Sequence, residues 1–387
     1  MRSPLGLVLA LVLGIDTMTA LVVIAFGNSY LIETRHAPAS YPAYALGIYG
    51  LVKLISAPAG GWVLDRVRVL PIIGFVYACE ATGLLIILVT ATANGFLVGV
   101  GFLSTGIALA WLVVFHALGD AFDADVRASA TAYVGLVSAG ATGVGFGLAA
   151  VLGQVDYWQS AFLLALALAT VTALLMLRLR PRGGPASPQR RERALAADSS
   201  LPEGRKRLIA GIVIFAHFFA VTATLAVFGP FVLRSLHLSL LRAGIILLPA
   251  GGAAALSMLV MGRVSRHGSR LREVAALYAL GAITILAASF VHQAWLFALL
   301  AIPLAVAIGG AQPLLNASLL DVSHAGEGTG AVLGWLFFAE GLGSVAGPLL
   351  IGIVISAASI RDAVLALSLL EGGIVVLSLL AARSTRI

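Results

Sequence analysis

The chain has few charged residues for its length. Only 11% of its 387 residues are Asp, Glu, Lys or Arg, whereas 60% are hydrophobic. Soluble domains carry about 25% charged residues, so a water-soluble fold of this size could not cover its surface. The single cysteine, Cys79, excludes an internal disulfide and a cysteine-ligated metal cluster. We therefore predict a membrane protein without a metal site.

The sequence contains long runs of apolar residues with few charges. Each is close to the ~20 residues that a helix needs to cross a bilayer, and in lipid the backbone must satisfy its own hydrogen bonds. We predict an all-α integral membrane protein with twelve transmembrane helices, the first of them a retained span and not a cleaved signal. The predicted spans are 5–27, 43–63, 71–91, 95–117, 129–152, 157–179, 208–231, 241–261, 273–291, 294–316, 329–356 and 362–382.

The net charge of +7 is distributed unevenly among the loops. If the N-terminus is inside, 19 of the 24 Lys and Arg fall in loops assigned to the cytoplasm and four fall in external loops. The positive-inside rule then predicts a multi-pass protein of the cell (inner) membrane with cytoplasmic N- and C-termini. The basic balance indicates topology and attraction to anionic lipids, and no nucleic-acid partner is expected.

One polar segment divides the apolar runs into six and six. Residues 180–206 are rich in Pro, Gly, Ser and Arg, which predicts a mobile cytoplasmic linker. We predict an N-terminal six-helix bundle over 1–179 and a C-terminal six-helix bundle over 207–387.

Short segments recur at an offset of about 200 residues. Gly143 recurs as Gly343, and the turn that begins at Gly61 recurs at Gly262. Several matches at one offset favour duplicated six-helix units, as in transporters built from parallel repeats. We therefore expect the two bundles to be related by a pseudo-two-fold axis.

Three segments resemble signatures of the major facilitator superfamily. GGWVLDRVRVLP (60–71) resembles its loop 2–3 motif, DAFDADVR (120–127) its loop 4–5, and GSVAGPLLIG (343–352) the Gly-Pro signature of its drug:proton antiporters. The resemblance implies the major facilitator fold, alternating access, no bound cofactor and a proton gradient as the energy source. Two positions depart from the antiporters: Phe102 stands where they carry an Arg in helix 4, and Leu148 stands where they carry the helix-5 proline.

The resemblance also implies an ionic latch that closes the cytoplasmic side. Its members here would be Gly61, Asp65 and Arg66 after the second span, with Asp120 and Arg127 as partners. Such ion pairs can break as two bundles rock. The alternative is that these are solvated loop charges worth less than about 1 kcal/mol each.

Ionisable residues inside the spans are costly in lipid and often mark function. Asp16 and His217 are 201 residues apart, which places them at equivalent depth in the first and seventh spans. Because those spans line the central cavity in the resembling family, we expect the two side chains to face one another. Histidine titrates near neutral pH, and an aspartate shielded from water can approach it. The predicted proton-coupling residues are Asp16, Lys53, Glu80, His217 and Glu340.

Structural roles are the alternative for these residues. Asp16 could pair with Lys53, and His217 could be a core histidine bonded to a backbone carbonyl. Glu80 and Glu371 fall on the third and twelfth spans, which are peripheral in the resembling family.

The cavity candidates are mostly aromatic and include few hydrogen-bonding groups. This pattern fits a lipophilic substrate, with cations as the leading class, that is read by shape and an acidic group. Plain packing or contact with lipid is the alternative for each aromatic residue. The candidates are Thr19, Phe26, Tyr30, Trp111, Phe115, Phe218, Gln312, Asn316, Trp335 and Phe338.

These features predict a monomeric secondary active transporter that exports a lipophilic small molecule against proton influx. The expected partners are that substrate, protons and membrane lipids. One alternative is a transporter or flippase of a lipid or amphipathic metabolite. A remote alternative is a membrane enzyme, because 120–125 resembles an aspartate cluster that holds Mg²⁺ and diphosphate. The sequence has no second such cluster and no suitably placed nucleotide or hydrolase motif, so we predict that the protein is not an enzyme.

Overall fold

The computed structural model describes residues 11–12, 14–16, 19, 23, 36, 41–67, 69–122, 124–154, 158–178, 203–238, 240–265, 270–323 and 329–385. Within these ranges every regular element is helical. The described residues of the first predicted span, from 11 to 23, are helical as well. The cavity candidates Phe26 and Tyr30 and most of the predicted linker lie outside the described residues.

Eleven α-helices follow the second to the twelfth predicted spans in order, and a π-helical turn (Phe231–Ser235) continues the sixth of them. They are α1 (Tyr41–Leu64), α2 (Val69–Val89), α3 (Ala93–Ala121), α4 (Ala124–Gln154), α5 (Trp158–Arg178), α6 (Glu203–Pro230), α7 (Leu240–Val264), α8 (Arg270–Ser289), α9 (Ala294–Ser323), α10 (Thr329–Ala357) and α11 (Ile360–Thr385).

Several helices continue past the apolar runs that predict them. α9 ends at Ser323 instead of at 316, and α3 continues to Ala121. The segment 120–127 is therefore not one long loop, because Asp120 lies in the last turn of α3 and Arg127 lies in the first turn of α4. Polar residues can extend a helix beyond the hydrocarbon core, where water satisfies the free backbone groups.

The surface of the described helices is strongly apolar. Large aliphatic and aromatic side chains point outward along most of them, among them Val89, Leu225 and Leu369, which is 78% exposed. Nine of the described helices are long and apolar enough to cross a membrane. Apolar surface on this scale is stable only against lipid, so the chain is an integral, multi-pass membrane protein.

The chain forms two compact units. The first comprises Met1–Ala121, Val137–Ala196 and Ser323–Phe338. In it α2 packs against α3 and α5, and α1 packs against α3. Its apolar core includes Leu84, Phe96 and Phe162.

The second unit comprises Phe122–Leu136, Ala197–Val322 and Ala339–Ile387. In it α11 packs along α8 and α6. Two apolar clusters fill it, one around Phe231 and Phe297 and the other around Tyr278 and Leu314.

Each unit contains a short piece of the opposite half of the sequence. The first residues of α10 belong to the first unit, and the first residues of α4 belong to the second. The division of the chain into bundles 1–179 and 207–387 with a linker at 180–206 stays a prediction from the sequence.

Candidate transport site

Three ionisable side chains are buried together in the first unit. Asp16 is 1% exposed and Glu80, on α2, is 0% exposed. Their carboxyl groups lie close enough to interact, and Tyr77 lies near both. Among the described residues, no hydrogen-bond donor reaches any of the four carboxyl oxygens, and the Tyr77 hydroxyl also has no partner.

Glycine on the neighbouring helix makes room for this carboxyl pair. A Cβ at Gly106 on α3 would overlap the Cγ atom of Glu80 and would lie 3.1 Å from its backbone nitrogen. The close packing of α2 on α3 therefore places Glu80 inside the unit and not on its lipid face. The sequence predicts Glu80 on a peripheral span. That span is α2, and the Glu80 side chain on it is fully buried.

The alternative partner for Asp16, Lys53, interacts elsewhere. The Lys53 ammonium on α1 lies 5.2 Å from the centroid of the Phe337 ring, in the geometry of a cation–π contact. No hydrogen bond joins it to Asp16.

A different polar cluster is buried in the second unit. His217 on α6 is 0% exposed. Its Nε2 lies 2.7 Å from Oε1 of Gln312, and the Gln312 amide donates onward to Oδ1 of Asn316 at 3.3 Å. The Tyr278 hydroxyl hydrogen-bonds Nδ1 of the same ring. His217 is therefore bonded to side chains, not to the backbone carbonyl that the structural alternative predicts.

This set of bonds fixes the tautomer of neutral His217. Because Oε1 of Gln312 can only accept, Nε2 must carry the proton, and Nδ1 then accepts from the Tyr278 hydroxyl. Each donor in the chain from Tyr278 through His217 and Gln312 to Asn316 points in the same direction.

The two clusters occupy equivalent positions in the sequence repeat. Asp16 and His217 are separated by 201 residues, and so are Tyr77 and Tyr278. The sequence analysis identifies the first pair but misses the tyrosines, although the same offset points to them. The expectation that Asp16 and His217 face each other across a cavity stays a prediction.

Aromatic residues meet near Lys53 in the first unit. Trp111 and Phe115 stack along α3 with ring centroids 5.8 Å apart, and Phe115 meets Phe337 edge-on at 5.6 Å. Trp111 and Phe115 are predicted cavity residues. The sequence analysis names Phe338 and misses Phe337, which contacts both Phe115 and Lys53.

The remaining cavity candidates have different surroundings. Trp335 is 65% exposed, and its ring lies 5.3 Å from that of Phe338. Phe218 meets the His217 ring edge-on at 5.0 Å. Thr19 is buried, and its hydroxyl donates to the carbonyl of Ile15.

Glu340 on α10 is also buried. Its carbonyl accepts a hydrogen bond from the Ser344 hydroxyl, one turn further along the helix. Gly343 and Gly347 follow Glu340 by one and two turns and lie against the backbone of α6. A Cβ at Gly343 would overlap the carbonyl oxygen of Phe215, and a Cβ at Gly347 would overlap that of Phe219.

The predicted latch residues at the end of α1 contact the start of α10 within the first unit. A Cβ at Gly61 would overlap the carbonyl oxygen of Gly330. The Asp65 carboxylate accepts hydrogen bonds from the backbone N–H groups of Gly330 and Ala331, at 2.8 and 2.9 Å. A carboxylate at this place satisfies free N–H groups of the helix and complements its dipole.

Arg66, in the turn after α1, lies over Trp62 in the last turn of that helix. Its guanidinium lies 4.1 Å from the centroid of the Trp62 ring, and it donates to the Trp62 carbonyl at 3.0 Å.

Arg127 forms an ion pair within the second unit. It lies 3.1 Å from Asp321 at the end of α9, and Asp321 also binds Arg270, which is 2% exposed. The sequence analysis misses Asp321 and Arg270. The side chain of Asp120, which is predicted to join the same latch, lies outside the described residues.

The second unit repeats the close approach of Gly61 to α10. A Cβ at Gly262, at the end of α7, would overlap the Cβ of Ala132 on α4, and the Ser129 hydroxyl donates to the Gly262 carbonyl at 2.7 Å. Gly61 and Gly262 are 201 residues apart, as are Ser129 and Gly330. The repeat is thus visible in contacts as well as in sequence.

Long apolar helices, a lipid-compatible surface and buried ionisable side chains define a polytopic membrane protein. The chain belongs to the Major Facilitator Superfamily, whose sequence profile matches residues 7–348. The predicted family and fold are confirmed, and with them the prediction of a secondary transporter.

One similar solved structure is that of the human organic anion transporter MFSD10 (TETRAN). It matches with a TM-score of 0.78 at 17% identity, over 97% of this chain and 100% of that chain. At this identity the likeness shows the fold alone. No curated protein matches the chain in sequence.

Proposed function

We propose that this transporter exports a lipophilic small molecule, with cations as the leading class, in exchange for protons, and that Asp16 and Glu80 form its proton-coupling site. The observation that carries the proposal is the pair of carboxyl groups buried side by side without a donor among the described residues. A pair of this kind has no evident role in stability, since buried charge is costly unless it is paired.

Two adjacent carboxyl groups in an apolar setting favour holding one proton between them, because two full negative charges would repel at close range. Losing that proton adds a second negative charge to the pair, which water or a cationic substrate can stabilise. Proton and cation therefore compete for the same negative charge, which is the thermodynamic requirement for exchange.

The aromatic group around Phe115 supports a lipophilic substrate. Trp111 is partly buried and lies beside the buried rings of Phe115 and Phe337, so the group presents one ring and few hydrogen-bonding groups. Such a surface selects by shape and apolar contact more than by directional bonds.

We propose that the contacts of Asp65 at the end of α1 and of Arg127 at the start of α4 act as the latch of alternating access. Asp65 on the start of α10 and Arg127 on Asp321 each join residues from opposite halves of the sequence. Hydrogen bonds and single ion pairs of this kind can form and break in a transport cycle. The positive-inside rule supports a cytoplasmic location for these ends and for both termini.

The test is transport by purified protein in liposomes with an imposed pH gradient. A panel of fluorescent lipophilic cations is the probe. The wild type should move at least one of them faster when the proton gradient opposes the cation's direction, and Asp16→Asn and Glu80→Gln should lose this acceleration while still binding the dye.

The matched control is Asp362→Asn, which makes the same chemical change at an exposed position whose carboxylate accepts from the Ser359 hydroxyl. It should keep the response to the gradient. If the wild type moved every cation at a rate independent of the pH gradient, antiport would be excluded and the carboxyl pair would be structural.

A second candidate is export of an organic anion, the class of substrate that the name of MFSD10 gives for that protein. The observation that favours it is Lys53, a buried cation whose ammonium lies over the Phe337 ring. Lys53→Met should then abolish transport of a fluorescent organic anion. Under the leading proposal the same variant keeps proton-driven cation transport, so the two candidates separate on one substitution.

A further inference from the structure

A further carboxyl group is buried in the second unit, at Glu371 on α11. It is 1% exposed, and neither of its oxygens has a hydrogen-bond donor among the described residues. α11 packs along α8 and α6 at this level. The proposed function does not use this residue, and its burial without a partner requires an explanation.

Glycine makes room for Glu371 as it does for Glu80. A Cβ at Gly281 on α8 would overlap the Oε2 atom of Glu371 and would lie 3.6 Å from the Cβ of Ala307. Gly281 is the repeat equivalent of Glu80, and Ala307 is the equivalent of Gly106. The carboxyl of Glu371 therefore fills, from a different helix, the place that the carboxyl of Glu80 fills in the first unit.

Two titratable side chains face this place from the helices that pack on α11. Tyr278 lies one turn before Gly281 on the same face of α8, close enough for Glu371 to act on its charge. His217 on α6 accepts the hydrogen bond of the Tyr278 hydroxyl and is bonded on its other side to Gln312. Gln312 is only partly buried.

We propose that Glu371 is a second proton-binding site and that Tyr278 and His217 carry its proton toward Gln312. The Glu371 carboxyl swings one turn along α8 and gives its proton to the Tyr278 oxygen, while the Tyr278 hydroxyl proton passes to Nδ1 of His217. The products are a Glu371 carboxylate, a neutral Tyr278 and an imidazolium that keeps its Nε2–H bond to Gln312.

The site is independent of Asp16 and Glu80, which lie in the other unit. It gives the second unit its own exchangeable proton, in a cluster whose other members are neutral hydrogen-bonding groups. The inference therefore goes beyond the proposed coupling site and can be tested without a transport assay.

The test is infrared difference spectroscopy of the protein in lipid, between acidic and alkaline buffer, on the C=O band of protonated carboxyl groups. The wild type should show a component that Glu371→Gln removes. Tyr278→Phe should keep that component but slow its hydrogen–deuterium exchange by about tenfold or more, because the relay loses a group that both accepts and donates.

Two further variants keep the test decisive. Ser368→Ala, one turn earlier on α11, removes a hydroxyl bonded only to its own helix and should leave every band unchanged. Gly281→Ala should shift the Glu371 component, because the added methyl group displaces the carboxyl, and it decides the matter if Glu371→Gln does not fold. A spectrum of Glu371→Gln that retains every carboxyl component, or no shift in Gly281→Ala, would overturn the proposal whether or not transport depends on pH.

Discussion

The buried polar clusters of the two units share a position but differ in chemistry. In the first unit Asp16 and Glu80 place two carboxyl groups together without a donor among the described residues. In the second unit His217 stands at the position of Asp16 and has both ring nitrogens bonded, to Tyr278 and Gln312. One cluster holds carboxyl groups without a donor among the described residues, and the other holds a histidine with both ring nitrogens bonded.

The difference shows how a duplicated scaffold can take two roles. The tyrosines at 77 and 278 occupy equivalent positions in the two units, and the glycines at 61 and 262 make equivalent close contacts. The residues that surround the tyrosine differ between the two units. A satisfied network stabilises a unit, whereas an unsatisfied carboxyl pair is tolerated only where its cost serves a purpose.

The largest expected effect comes from making the same substitution at both equivalent positions. Asp16→Asn should weaken the coupling between proton gradient and transport by about 5- to 150-fold, the usual range of coupling between two binding events. His217→Asn should reduce transport less and should keep a response to the gradient. Transport rates with and without an imposed pH gradient measure both variants.

His217→Asn should instead lower stability. It breaks a buried network, and an unsatisfied buried donor or acceptor costs about 1–3 kcal/mol. The Tm in detergent should fall for this variant. If His217→Asn removed the pH response and Asp16→Asn did not, the assignment of roles to the two units would be reversed.

A smaller effect is expected at the close approach in the first unit. Gly61→Ala adds a methyl group where the carbonyl of Gly330 lies, and overpacking of this kind costs about 1–3 kcal/mol. Transport and Tm should both fall. Gly74→Ala is the control, because a Cβ there meets nothing within 4 Å. Equal behaviour of the two variants would show that Gly61 is not a close contact in the membrane.

The same comparison extends to the second unit. Gly262→Ala adds a methyl group against Ala132 and should behave like Gly61→Ala. If only one of the two variants, Gly61→Ala or Gly262→Ala, transported normally, the equivalent contacts would have diverged in function.

The smallest effect is expected from the polar groups beside these glycines. Asp65→Ala removes the carboxylate that accepts from two N–H groups of α10, and losing a helix cap costs about 0.5–2 kcal/mol. Ser129→Ala removes one neutral hydrogen bond to Gly262, so its loss of Tm should be smaller. A larger loss from Ser129→Ala would contradict the view that Asp65 is the stronger contact.

The sequence predicts the helices, the repeat and the family because apolar length and motif spacing are local properties. It also places Asp16 and His217 at equivalent positions, since a fixed offset needs only counting. It does not predict that Glu80 lies beside Asp16, because the position of a residue along a helix does not determine how the helix is rotated about its own axis. Packing of Gly106 on α2 decides that rotation.

Long-range partners are missed for the same reason. Asp321 lies 194 residues from Arg127, and no pattern in the sequence links them. Phe337 and Phe338 are adjacent in the sequence, and only the helix orientation decides that Phe337 meets Phe115. The offset of 201 does contain one unused signal, the pair Tyr77 and Tyr278.

The central claim is that protons move through Asp16 and Glu80 in exchange for substrate. The most direct measurement is the internal pH of liposomes that contain the protein and a trapped pH-sensitive dye. The liposomes are loaded with a lipophilic cation and then diluted into buffer without it. Outward flow of the cation should acidify the interior with the wild type and leave it unchanged with Asp16→Asn. Cation efflux by the wild type without acidification, or equal acidification with Asp16→Asn, would contradict the account.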